Sequence, residues 1–208
     1  MTEAAPSDLF REKLLDSMLE IAPEAGWTHA ALALAGEKAG LTEGQVHLAT
    51  PHGVTDLLEA FTARAVRATS DRLKDSDIAA LKVREKVRAG AKAWLAYLAP
   101  HKAAVKRAAA TPANLLTGPK GLWSAADAIW TALGDKSTDF NWYTKRTILS
   151  GVLGTTLAAW MGTEDEAAVD DFLDRRIENV MQFEKFKAQA KDAFAKMPDP
   201  MDIFGHRK

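Results

Sequence analysis

The side chains that could do covalent or metal chemistry are present in this 208-residue chain, but not at working spacings. A di-iron carboxylate bundle needs Glu-x-x-His pairs projecting from its helices. None of the twelve glutamates is followed three residues later by histidine. The five histidines, at 29, 47, 52, 101 and 206, are scattered. His47 and His52 lie close together, but Pro51 separates them and no third ligand is evident. There is no cysteine, which excludes disulfides, thiolate metal sites and a cysteine nucleophile. No Gly-rich phosphate loop and no G-x-S-x-G elbow occurs. The chemistry left is binding rather than catalysis, with no cofactor beyond a bound ligand.

The stretch with most to say about binding is DFNWYTKRTILSGVLGTTLAAWM, Asp139 to Met161. Advanced at 3.6 residues per turn, it puts Trp142, Arg146 and Leu149 on one stripe. Ile148, Val152, Thr155 and Ala159 form an apolar stripe, and Gly151, Gly154 and Ala158 a stripe of small residues. Each interior glycine costs a helix about 0.5–1 kcal/mol relative to alanine. Two within one turn imply either a closely packed neighbouring helix or room for a ligand. The first turn allows two readings as well. Trp142 and Tyr143 beside two cations suit a protein-docking rim, or Trp142 is core and Arg146 a solvated edge.

The elements around this stretch read as helices throughout. Apolar residues make up 47% of the chain and charged residues 26%, with much alanine, which favours helix over strand. The spacing predicts a helix over 8–21, capped by Ser7 and ended by Pro23 and Gly26. Thr28 caps a second helix that stops near Gly40, and Thr42 opens a short third to about Ala49. A longer helix carries Val54, Leu57, Leu58, Phe61, Ala65 and Val66. Asp75 or Asp77 caps the next, whose Lys82, Arg84, Lys86, Arg88 and Lys92 lie on its outside. A short basic helix from His101, one from Leu122 to Leu133, the 139–161 helix and one capped by Thr163 follow. The tail places Phe183, Phe186, Ala190, Phe194 and Met197 every three or four residues among lysines, a pattern that suits an anionic membrane surface or a packed helix. No run of about 18 apolar residues spans a bilayer, and MTEAAPSDLF lacks the basic and apolar regions of a signal peptide.

Charge is distributed unevenly. Residues 1–60 are net −7, 61–120 net +9 and 121–208 net −3. Between Gly26 and Phe61, a Gly-aromatic turn, a helix, the AGLTEG turn, a short helix and a long helix succeed one another. This order is similar to the N-terminal helix-turn-helix of TetR-type regulators, where the short helix enters the DNA major groove. Here that helix, TEGQVHLA, has neither lysine nor arginine and sits in an acidic module. Phosphate contacts supply much of the affinity for DNA, so a degenerate helix-turn-helix without nucleic-acid binding is expected.

The stretch STDFNWYTKRTILSGVLGTT, Ser137 to Thr156, resembles the signature of the ninth coenzyme Q biosynthesis protein family. GWT at Gly26, AGLTEG at Ala39, LKVREKVR at Leu81, W-x-A-x-GD at Trp130 and FLDRRIENV at Phe172 match in order. The resemblance implies an all-α, TetR-like fold that dimerises and does not regulate transcription. It divides the chain into a helix-turn-helix-like module over 1–72 and a helical lipid-binding module over 73–208. It implies a non-enzymatic accessory protein of ubiquinone synthesis that presents a demethoxy quinone intermediate to the di-iron hydroxylase. Carried onto this chain, Asp139, Trp142, Tyr143 and Arg146 become a surface patch for that hydroxylase. Ile148, Gly151, Val152, Gly154, Thr155 and Ala158 become the wall against isoprenoid or phospholipid, and Phe183, Phe186, Phe194 and Met197 a membrane contact. The implied location is the cytoplasm, peripheral to the inner membrane, in a bacterium, or the mitochondrial matrix in a eukaryote. The alternative is a TetR-type regulator with a small-molecule pocket.

Overall fold

The helical periodicities are realised almost everywhere. A computed structural model describes residues 5–75, 78, 80–111 and 118–195, with side chains to residue 182 in the last helix. Among the described residues the fold is all-α, with nine α-helices and no strand. These are α1 (Pro6–Ala25), α2 (His29–Lys38), α3 (Glu43–Ala49), α4 (Val54–Lys74), α5 (Val83–Leu98), α6 (Lys102–Ala109), α7 (Gly118–Ala132), α8 (Phe140–Gly162) and α9 (Glu166–Ala195). A single 3₁₀ turn, Ala99–His101, links α5 to α6 where Pro100 removes a backbone donor.

The caps expected at Thr28 and Thr42 are present. Thr28 Oγ1 accepts from the backbone N–H of Ala31, and Thr42 forms a capping box with Gln45. Other boundaries differ: α1 begins at Pro6 after Ala5 and is not capped by Ser7, α7 begins at Gly118 rather than Leu122, and Asp77 lies outside the described residues. α1 continues through Pro23 to Ala25, because Arg107 of α6 donates to the terminal carbonyls of Pro23 and Glu24. Asp75 caps the C-terminus of α4 rather than opening α5, which begins at Val83 with Glu85 accepting from the Lys82 N–H. Thr163 ends α8; Asp165 caps α9 instead, its Oδ1 accepting from Ala167 and Ala168. A carboxylate that accepts two terminal N–H groups and sits at the positive helix end wins over a hydroxyl two residues earlier.

One buried cluster runs from Leu14 on α1 to Ile177 on α9, so α4 joins the N-terminal helices to the rest. Trp27 anchors α6 against this unit, its buried Nε1 donating to the carbonyl of Ala104 at 2.9 Å. Arg64 of α4 ties α1 down through Glu12 and Asp16. At Gly90 an added Cβ would lie 2.5 Å from Ile129 Cγ2, so glycine is what lets α5 approach α7.

The basic residues of α5 lie on its outside, where they meet acids of α9. Arg84 pairs with Glu178 at 2.7 Å, Arg88 with Asp174 at 2.7 Å and Asp170 at 3.2 Å, and Lys92 with Asp170 at 2.5 Å. Cations at i, i+4 and i+8 on α5 thus meet acids at the same spacing on the antiparallel α9. Each pair is substantially solvated and is worth at most about 1 kcal/mol. Replacing Asp170 and Asp174 together by alanine is expected to lower stability by about 1–2 kcal/mol in dilute buffer, and by clearly less in molar salt. Urea unfolding at two salt concentrations measures the difference.

Candidate functional site

α7 and α8 form an antiparallel pair closed by the turn at Gly134. Gly134 adopts φ +77°, a left-handed conformation that glycine takes without strain. The backbone N–H of Asp135 then bonds to the carbonyl of Trp130 at 3.0 Å, which turns the Asp135 carboxyl back towards α8. Asp139 caps α8, accepting from the N–H of Asn141 at 3.0 Å.

At this end of α8 charge lies beneath aromatic rings. Arg146, expected at the surface, is 2% exposed. Its Nε donates to Asp127 Oδ1 at 2.5 Å, and its Nη1 donates to Asp135 Oδ2 at 3.0 Å. Lys145 Nζ reaches Asp135 Oδ1 and Ser137 Oγ, both at 2.7 Å. Burial pushes the Asp135 carboxyl up, but Lys145, Ser137 and Arg146 outweigh it and hold the group well below the usual carboxylate range. The placement of Arg146 is a correction with a clear cause. Two carboxylates, on α7 and on the turn after it, satisfy a guanidinium that would otherwise stay in water.

Above the guanidinium lies Trp142, with its ring centroid 4.1 Å from Arg146 Cζ. Tyr143 meets Trp142 edge-on at 4.7 Å, and Trp123 of α7 meets it at 5.8 Å. Trp123 was not singled out from the sequence; its i, i+4 relation to Asp127 was the available signal. Tyr143 is 60% exposed and Phe140 79%. Trp142 is half-buried, between the rim and the core. Asp139, Trp142 and Tyr143 therefore share the outer face with Phe140, while Arg146 supports them from within.

Beside this end opens an apolar cleft of about 250 Å³ between α5, α8 and α9. Val83, Val87, Trp130, Ile148, Leu149, Val152, Ile177, Val180 and Met181 line it, with Arg84, Asn141, Thr144 and Lys145 as its polar members. Of the wall expected from the sequence, Ile148 and Val152 line the cleft. The small stripe does not. Gly154 packs towards α7, where an added Cβ would lie 3.0 Å from Leu122 Cδ1. Gly151, Thr155 and Ala158 face outward and are exposed. The reason is the rotation of α8: Arg146, Leu149, Val152, Leu153, Thr156 and Trp160 take the buried face and turn the small residues away. Phe183, Phe186 and Phe194 fall on the helical backbone of α9, but their side chains, like all of Met197, lie outside the described residues.

Two other cavities lie elsewhere in the fold. A smaller apolar one, about 180 Å³, lies between α4, α5, α6, α7 and α8. A groove of about 910 Å³ between α1, α4 and α7 is rimmed by Asp8, Glu12, Asp56, Glu59, Arg11, Arg67 and Lys120. Among the described residues, no group of three His, Asp or Glu side chains could hold a metal ion. No described helix is long and apolar enough to cross a membrane.

Geometry thus defines an all-helical protein with an apolar cleft and an adjoining aromatic rim. Comparison with known proteins is more specific. Residues 115–184, which include α7 and α8, match the COQ9 family model. The mitochondrial ubiquinone biosynthesis protein COQ9 of Rattus norvegicus is 29% identical over 192 residues, 87% of this chain and 62% of its own length. The Homo sapiens protein of that name is 28% identical, covering 87% of this chain and 60% of its own length. The Drosophila melanogaster one is 26% identical over 90% of this chain. The resemblance read from the signature is therefore borne out over most of the chain. The chain spans about three fifths of the length of the curated relatives it matches.

Proposed function

We propose that this protein is a lipid-binding accessory protein of ubiquinone biosynthesis and not itself an enzyme. The α5–α8–α9 cleft takes part of the isoprenoid tail of a demethoxy quinone intermediate, or of a phospholipid. The aromatic end of α8 docks the di-iron hydroxylase that acts on the intermediate. Peripheral contact with a membrane, a homodimer and a location at the bacterial inner membrane or in the mitochondrial matrix belong to the same reading.

The observation that carries it is the continuity of α8. Asn141, Thr144, Ile148 and Val152 line the cleft, while Phe140 and Tyr143 of the same first turn face outward. One rigid helix can then hold a lipid on one face and an enzyme at its end. Apolar burial is worth about 25 cal/mol per Å², so a quinone tail leaves a bilayer only for an equally apolar host. A cleft of about 250 Å³ admits a segment of that tail, not the whole molecule. The regulator reading requires lysine or arginine on α3 to hold phosphate, and α3 has neither.

Ile148→Trp tests the cleft. Ile148 is half-buried, so a larger ring can project into the cleft while the helix stays packed. Lipid taken up from vesicles containing an isoprenoid quinone is expected to fall about tenfold, a change of about 1.4 kcal/mol. Unchanged uptake by the folded variant would contradict the assignment of this cleft.

A further inference from the structure

Arg146 lies where no docked protein can touch it, yet it contacts the ring most central to the aromatic rim. It is 2% exposed, and its guanidinium is held by Asp127 at 2.5 Å and Asp135 at 3.0 Å. Its Nη1 also donates to the carbonyl of Trp142 at 3.3 Å, one turn earlier. The planar cation is thus fixed to α7, to the turn after α7 and to the backbone of α8. The guanidinium carbon lies over the Trp142 ring, 4.1 Å from its centroid, and Tyr143 and Trp123 meet that ring in edge-to-face contacts. A ring held on one face and by two neighbouring rings has lost its alternative rotamers before any partner arrives. Side-chain ordering of this kind, when deferred to binding, weakens affinity by roughly two- to tenfold per side chain.

We propose that Arg146 is a positioning residue for the docking surface, fixing Trp142 from behind through Asp127 and Asp135, and that Trp123 belongs to that surface. The inference rests on the reading of the α8 aromatic end as the hydroxylase-docking site. Arginine matters here through its shape. Lysine at this position keeps the positive charge but loses the flat face and the ability to reach two carboxylates at once.

The test uses the full chain labelled with 5-fluorotryptophan, with the Trp142 resonance assigned by Trp142→Phe. In Arg146→Lys the ¹⁹F resonance of Trp142 is expected to shift and broaden. That of Trp27, hydrogen-bonded to Ala104 elsewhere in the core, should stay in place. Affinity for the hydroxylase should fall roughly five- to tenfold in Arg146→Lys and in Trp123→Leu. An unmoved Trp142 resonance, or affinity within twofold of the parent in folded Arg146→Lys, overturns the positioning role. Parental affinity in Trp123→Leu removes that residue from the surface. Should Arg146→Lys fail to fold, Asp127→Ala decides, because it deletes one guanidinium acceptor at a half-exposed position and carries the same expectation. Trp142→Ala separates the two layers of the account. Lost binding there, with parental binding in Arg146→Lys and Asp127→Ala, leaves the docking site standing and ends the positioning role. Parental binding by Trp142→Ala ends both.

Discussion

Arg146→Met is expected to lower the stability of the protein by about 3 kcal/mol, because it removes the cation from a buried ion pair. Methionine replaces the aliphatic stem, so the effect isolates the guanidinium. What remains is Asp135, 4% exposed by side chain, still held by Lys145 and Ser137, and the half-exposed Asp127 without its guanidinium partner. Losing the cation leaves the buried Asp135 charge under-compensated, which is why the penalty exceeds that of a surface pair. The same cluster sets a pH dependence. The folded Asp135 carboxyl titrates below its unfolded value of about 3.9. Its contribution is therefore complete above that pH and is lost as the pH falls towards the folded value. Stability of the parent protein should drop below about pH 4, and Asp135→Asn should flatten that part of the profile. Urea midpoints between pH 2 and 7 measure both effects; a parallel profile in Asp135→Asn would show that other carboxylates dominate.

Trp142→Ala should weaken association with the di-iron hydroxylase by at least about 30-fold, equivalent to 2 kcal/mol or more, the range of a central tryptophan hot spot. Trp142 offers a large ring fixed by three neighbours, so its removal takes contact area and also releases Tyr143 and Trp123. Phe140→Ala, at the fully exposed start of α8, should weaken association less. Affinity measured by interferometry, with far-ultraviolet circular dichroism as the check on fold, distinguishes lost contact from lost structure. Equal affinities for parent and Trp142→Ala would remove the docking assignment.

Local rules made most of the fold legible. Thr28, Thr42 and Asp139 cap the helices their positions predicted, because each side chain needs only a backbone N–H two or three residues ahead. The errors came from partners distant in sequence. Pro23 fails to stop α1 because Arg107, 84 residues on, satisfies the exposed carbonyls. Arg84, Arg88 and Lys92 lie on the outside of α5 as their spacing predicts, but the acids that pair with them, 78 to 94 residues away on α9, were not legible. The same holds for the site. Helical periodicity placed Trp142 and Arg146 on one stripe correctly, but not which side of that stripe faced water. That depended on Asp127 and Asp135 converging across a glycine turn. The small stripe of α8 misled for a related reason. Gly151, Gly154 and Ala158 share a face, yet the bulkier Leu149, Val152, Leu153 and Trp160 claim the interior, which leaves Gly151 and Ala158 exposed and Gly154 against Leu122 of α7.

Lipid carriage is the proposition on which the functional account depends, and native mass spectrometry of the purified full chain tests it most directly. The account predicts protein carrying one isoprenoid quinone or phospholipid, released on denaturation and about tenfold scarcer in Ile148→Trp. Parent protein that stays lipid-free after incubation with quinone-bearing vesicles, or Ile148→Trp that holds as much lipid as the parent, would contradict it.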